Sequence, residues 1–99
     1  MKIVFFGSGE FGCETLRWLS GSSHQLLEIV TQPARPAGRG KKVQPTPIAQ
    51  LAVQLQLPCR ETANINEPSF VEHIAALNPN VLLVIAFGQK IGPEYLNMP

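Results

Sequence analysis

The sequence predicts an open, parallel α/β sheet. Three observations carry that expectation: short β-branched or aromatic runs at residues 3–6, 26–31 and 81–86, amphipathic stretches alternating with them, and Gly or Pro at nearly every junction. Ninety-nine residues, 44% apolar and 15% charged, suit one globular domain over residues 1–99 and exclude a disordered or collagen-like chain. No apolar run approaches the roughly 18 residues of a membrane span, and the opening lacks a signal-peptide pattern, so a soluble, cytoplasmic protein without membrane contact is expected.

Ile3-Val4-Phe5-Phe6 ends at Gly7, the pattern of a buried first strand closed by a turn. The helix that follows takes its apolar side from Phe11, Leu16 and Leu19. Ser8 or Gly9 is its cap, Glu10 suits the positive end of the helix dipole, and Gly21 stops it. Residues 26–31 are the second strand. Residues 32–46 carry Pro33, Pro36 and Pro45 with Gly38 and Gly40 among them, and their lack of any period predicts a long loop.

Thr46-Pro47 is a helix start, after which Ile48, Leu51, Ala52 and Leu55 recur at helical spacing. Residues 58–61 form a weak third strand. Asn66 as cap and Pro68 in the first turn begin another helix, with Phe70, Val71, Ile74 and Leu77 inward and Asn78-Pro79 as its end. Residues 81–86 are apolar throughout, as in a parallel strand covered on both faces. A last short helix starts at Pro93 and carries Tyr95 and Leu96.

Right-handed crossovers then give strand order 3-2-1-4 with flanking helices. Ligands of such sheets bind beyond the carboxyl ends of the strands, where the winding reverses between strands one and four. The segments 7–12, 32–46 and 87–92 leave that edge and converge on one crevice.

Gly7-Ser8-Gly9-Glu10-Phe11-Gly12 matches G-x-G-x-x-G in its proper strand-to-helix context. The second strand ends Val30-Thr31-Gln32, without the acid that holds a ribose, and Glu10 competes with a phosphate for the backbone amides. Three readings stand: a tight turn needing glycine for positive φ and close packing, a substrate-facing loop, or an NADP site in which Arg35 takes the 2′-phosphate.

The net charge of +1 hides an uneven distribution. Arg35, Arg39, Lys41 and Lys42 fall within eight residues and no acid lies between Thr31 and Arg60, so this segment carries +4 and the remainder −3. Fully extended, residues 32–46 reach on the order of 50 Å, enough to lie along a phosphate backbone, with a salt slope of roughly −3 to −4. The alternative is a solvated loop. No aromatic interleaves the cations, so base stacking is not expected. After the fourth strand, residues 86–92 offer backbone amides and carbonyls beside Phe87 and Ile91, suited to a flat heteroaromatic ligand or to an ordinary turn.

His24 and His73 have no aspartate to orient them, since the chain contains none. No catalytic triad, carboxylate pair or metal cluster is expected. His73 and Glu72 read as surface residues and Trp18 as packing. Cys13 and Cys59 read as free, packed thiols without zinc or disulfide spacing.

Thr31-Gln32-Pro33-Ala34-Arg35-Pro36-Ala37-Gly38-Arg39-Gly40-Lys41-Lys42-Val43-Gln44-Pro45-Thr46-Pro47 closely resembles the basic loop of methionyl-tRNA formyltransferases. Ile3-Val4-Phe5-Phe6-Gly7-Ser8-Gly9-Glu10-Phe11 is similar to that family's first strand and turn. Val84-Ile85-Ala86-Phe87-Gly88-Gln89 and Tyr95-Leu96-Asn97-Met98-Pro99 resemble its fourth-strand region. The likeness spans the chain, as the N-terminal portion of a Rossmann-like formyltransferase domain. It implies transfer of a formyl group from 10-formyltetrahydrofolate to the methionyl amino group of initiator tRNA in translation initiation.

The same resemblance implies residue roles. Arg39, supported by Arg35, Lys41 and Lys42, would contact tRNA. Phe87, Gly88, Gln89, Lys90 and Ile91 would line the folate pocket, largely through backbone atoms. Gly7, Ser8 and Gly9 would flank the substrate end, with Gly9 where the family commonly has proline. No metal is implied. The family's catalytic Asn, His and Asp would lie after Pro99, so the 99 residues alone are expected to be inactive, with an open edge on the fourth strand. The alternative is a small NADP-binding module.

Overall fold

In the computed structural model, which describes residues 1–37 and 42–96, Val4, Phe5 and Phe6 are wholly buried because they form the middle of the central strand. The chain runs β1 (Lys2–Gly7), a 3₁₀ turn (Glu10–Gly12), α1 (Cys13–Ser20), β2 (Gln25–Thr31), β3 (Arg35–Ala37) and β4 (Lys42–Gln44). It continues through α2 (Pro47–Gln54), β5 (Cys59–Glu61), α3 (Pro68–Ala76), β6 (Val81–Ile85) and α4 (Pro93–Leu96). The main sheet is parallel throughout, in the order β5-β2-β1-β6, which is the expected 3-2-1-4 winding.

Strand periodicity sorts the core onto two faces. Ile3, Phe5 and Ile29 pack with Leu16 and Leu19 of α1 and Ile48 and Leu51 of α2. Val4, Phe6 and Val30 face the other way, with Ile65, Phe70 and Ile74 around α3 and Tyr95 of α4. Phe6 is met edge-on by Phe87 at 5.5 Å and Tyr95 at 5.7 Å between ring centroids. Truncating a buried aromatic of this kind costs about 3–5 kcal/mol. The β1–β2 register slips between Ile3 and Val4, bringing Glu28 opposite Val4. Glu28 lies on the same face as Val30, two residues on, and reaches His73 of α3.

Five expectations are corrected. Residues 32–46 are not one loop: Arg35 pairs with Gln44, Pro36 with Val43 and Ala37 with Lys42 in an antiparallel hairpin. Phe11 is 88% exposed, because a 3₁₀ turn advances 120° per residue and takes it off the stripe of Leu16 and Leu19. Trp18, on the outer side of α1, is exposed rather than packed. Glu67, not Asn66, precedes α3, and no side chain caps that helix. β6 lies at the end of the sheet order, so its side chains are mostly half-buried and Val84 is exposed, instead of being covered on both faces.

Candidate functional site

One residue, Ser8, joins several segments at the carboxyl edge of the sheet. The Ser8 amide donates to Ala86 O at 3.3 Å, and its hydroxyl donates to Phe87 O at 2.9 Å. The same oxygen accepts the Gln32 amide at 3.1 Å, and the Ser8 carbonyl accepts the Ile48 amide at 3.3 Å. The turn after β1 is thus joined to the end of β2, to α2 and to the turn after β6.

That last turn has unusual backbone. Ala86 has φ 47° and Gly88 φ 95°, both left-handed, and a non-glycine residue there costs about 1–3 kcal/mol. Ser8 and Gly9 oppose the strain by both donating amides to Ala86 O. Gln89 turns inward, donating to Gln32 Oε1 and Thr62 O at 2.8 Å each and accepting the Ile65 amide at 2.9 Å.

Gly7 and Gly12 serve packing rather than positive φ. A Cβ on Gly7 would lie 2.6 Å from Phe5 Cε1, and one on Gly12 3.1 Å from Phe5 Cζ. The only glycine with positive φ among the described residues is Gly88, so the expectation of left-handed glycines in the first turn is not met.

Between these segments opens a cleft of about 570 Å³. Ser8, Gly9 and Glu10 form one wall, Phe87 and Gly88 another, and Gln32, Thr46 and Gln50 the base of the hairpin side. Glu10 is its only charged side chain among the described residues, so the cleft is a hydrogen-bonding surface rather than a phosphate cradle. Phe87 contributes mainly backbone, since the residue is 3% exposed and its ring packs on Phe6.

The expected site residues separate into groups. Ser8, Gly9, Phe87 and Gly88 meet on the cleft, with Gly7 behind them in the core. Gln89, Lys90 and Ile91 do not line it. Gln89 braces the turn, the Lys90 carbonyl accepts Asn66 Nδ2 at 3.0 Å, and Ile91 lies by Tyr95 against the second core cluster. The hairpin rises beside the cleft and is tied down at its root. Ala34 N donates to Glu61 Oε1 at 3.0 Å, Gln50 Nε2 to Pro45 O at 2.9 Å, and Thr31 and Thr46 join hydroxyls at 2.6 Å. Lys42 is exposed on β4 and the Arg35 backbone lies in β3, while Arg39 and Lys41 fall outside the described residues.

Gln32, Thr46 and Gln50 were not singled out by sequence as site residues. Thr46 had a signal, as the helix cap it proves to be through the Ala49 amide at 3.1 Å. His73 is not a simple surface residue: its Nε2 lies 2.6 Å from Glu28 Oε2. Cys59 is exposed rather than packed, yet its thiol is pushed up to about 11 by local burial, with Glu61 and Glu28 adding to the shift, which leaves it a poor nucleophile at neutral pH.

A family model described as formyl transferase matches residues 1–99. The chain belongs to the formyl transferase family. It is 39% identical over 99 residues to a methionyl-tRNA formyltransferase of Pseudomonas syringae pv. syringae and 41% identical over 99 residues to one of Methylococcus capsulatus. A third, from Thermotoga neapolitana, is 37% identical over 99 residues. Each match covers 100% of this chain and 32% of the relative, so the chain spans about a third of the length of these curated proteins. Among the described residues of this formyl transferase chain, no three His, Cys, Asp or Glu side chains gather to hold a metal ion. No helix there is long and apolar enough to cross a membrane.

Proposed function

We propose that these residues are the folate- and tRNA-facing part of a cytoplasmic methionyl-tRNA formyltransferase. The reaction moves the formyl group of 10-formyltetrahydrofolate to the methionyl amino group of initiator tRNA. The amine attacks the formyl carbon, the bond from that carbon to folate N10 breaks, and the proton lost by the amine balances the one gained at N10. The observation that carries this reading is that the hairpin root and the braced turn line one cleft at the carboxyl edge of the sheet.

In this reading the chain's residues bind and orient. The backbone at Phe87 and Gly88 faces the pterin, with Gln89, Lys90 and Ile91 supporting the turn from behind. Gly7, Ser8 and Gly9 border the reacting end. Arg39, with Arg35, Lys41 and Lys42, grips the phosphates of the tRNA as point charges and bidentate donors. Glu10, the cleft's one carboxylate among the described residues, favours an amine over a phosphate there. No residue of the chain is assigned a catalytic role.

Calorimetric titration of the chain with 5-formyltetrahydrofolate, NADP and initiator tRNA tests the proposal. Binding of the folate and the tRNA without NADP is expected. Tight NADP binding without folate binding would replace it with a dinucleotide-binding module.

A further inference from the structure

Three hydroxyls run in a line from α2 to the turn after β6. Ser8 donates its one hydroxyl proton to Phe87 O, 2.9 Å away. Its oxygen lies 3.4 Å from Thr31 Oγ1, a long contact, and Thr31 Oγ1 meets Thr46 Oγ1 at 2.6 Å, where either hydroxyl can donate. Thr46 Oγ1 also accepts the Ala49 amide at 3.1 Å. Thr31 thus stands between the first turn of α2 and the Ser8 hydroxyl that holds the Phe87 carbonyl.

The two ends of this line are the two working parts of the site. Thr46 stands at the root of the hairpin, two residues after β4. Phe87 sits between Ala86 and Gly88, the two left-handed residues of the turn. Thr31, the middle link, is wholly buried and does not line the cleft.

We infer that Thr31 is a positioning residue that couples the hairpin to the Phe87 and Gly88 turn, so that a partner on the basic arm and a ligand in the cleft bind with positive cooperativity. This rests on the folate and tRNA reading above. A ligand at either end orders the shared line, and the second ligand meets it already ordered. The coupling is reciprocal, because both ligands draw on the same linkage.

The test is titration of the chain with 5-formyltetrahydrofolate, alone and with deacylated initiator tRNA bound. Each is repeated in Thr31→Val, which keeps the shape and removes the hydroxyl, and in Thr31→Ser, which restores it. In the unaltered chain the tRNA should tighten folate binding about fivefold or more, within the usual range of coupled sites. Thr31→Val should abolish that gain, measured as the ratio of folate affinity with and without tRNA, and Thr31→Ser should bring it back. Equal coupling in all three overturns the inference and leaves the proposed function standing.

If neither probe binds, the proposed function fails, and amide exchange in the ligand-free chain still decides the linkage. Thr31→Val should then speed exchange at Ala49 and Gln32 and shift the Gly88 amide resonance. Changes confined to Thr31's own strand neighbours would overturn it. Should Thr31→Val not fold, Thr31→Ala removes the same hydroxyl from a smaller side chain and must show the same loss of coupling or of amide protection.

Discussion

Glu28 Oε2 lies 2.6 Å from His73 Nε2, although the two residues are 45 positions apart. The other carboxylate oxygen accepts Arg60 Nε at 2.7 Å, so one side chain joins β2, β5 and α3. Glu28 is 7% exposed and depends on these partners. The Arg60 and His73 side chains are 50% and 35% exposed and can be rehydrated when it is lost. Glu28→Ala is therefore expected to cost about 2 kcal/mol and His73→Ala about 1 kcal/mol. The double variant should cost less than their sum, as residues sharing a contact do. Urea unfolding measures all three, and strict additivity would show that the pair contributes nothing.

The first two glycines of the fingerprint should behave oppositely. A Cβ on Gly7 would meet Phe5 Cε1 at 2.6 Å and Ile85 O at 3.0 Å, whereas on Gly9 the nearest atom, Ala86 Cβ, is 4.0 Å away. Gly7→Ala is expected to lose about 1–3 kcal/mol by overpacking. Gly9→Ala should be nearly neutral in stability. The midpoint of urea unfolding separates the two, and equal losses would mean that the motif is conformational rather than steric.

How much of this was legible in the sequence depends on whether the signal was local. β1, β2 and β6 announce themselves as β-branched runs closed by Gly7, Gln32-Pro33 and Gly88, and right-handed crossovers then leave little choice of strand order. The cleft at Ser8, Gly9, Phe87 and Gly88 follows from that order. The hairpin did not, because β3 and β4 have three residues each, one of them Pro36, and no alternation develops over so short a span. The Glu28 and His73 contact was invisible for another reason. It joins a strand to a helix 45 residues further on, and no local pattern of residue types encodes such a pair.

Stability should fall at high pH for two identifiable groups. Burial, aided by Glu94, pushes the Tyr95 hydroxyl from 10.0 to about 12, and Cys59 moves from 9.0 to about 11. In both cases folding favours the protonated form. The stabilisation is complete below the unfolded values of 9.0 and 10.0 and is lost as pH rises through about 11 and 12. A urea midpoint that is flat to pH 9 and then declines is expected. Tyr95→Phe should flatten the upper part of that decline, at a cost of about 1 kcal/mol for the lost donation to Ile65 O. A midpoint independent of pH across this window would contradict both shifts.

The basic arm is tested by salt. If its four cations meet phosphates, the logarithm of the tRNA affinity should fall against that of salt with a slope of roughly −3 to −4. Lys42→Ala, at an exposed position on β4, should reduce the slope by about 1 without altering folate affinity. An unchanged slope would place Lys42 away from the RNA.

β1, the first element in the chain, occupies an interior place in the sheet, and its neighbours come from residues 25–31 and 81–85. Ile3 pairs with Val81 and Gly7 with Ile85, so its second flank closes only after nearly every other element has been synthesised. A ribosome therefore releases this deeply buried strand long before its last partner emerges. The β1–β6 pairing spans nearly the whole described chain, the kind of non-local contact that slows folding and leaves a strand edge waiting.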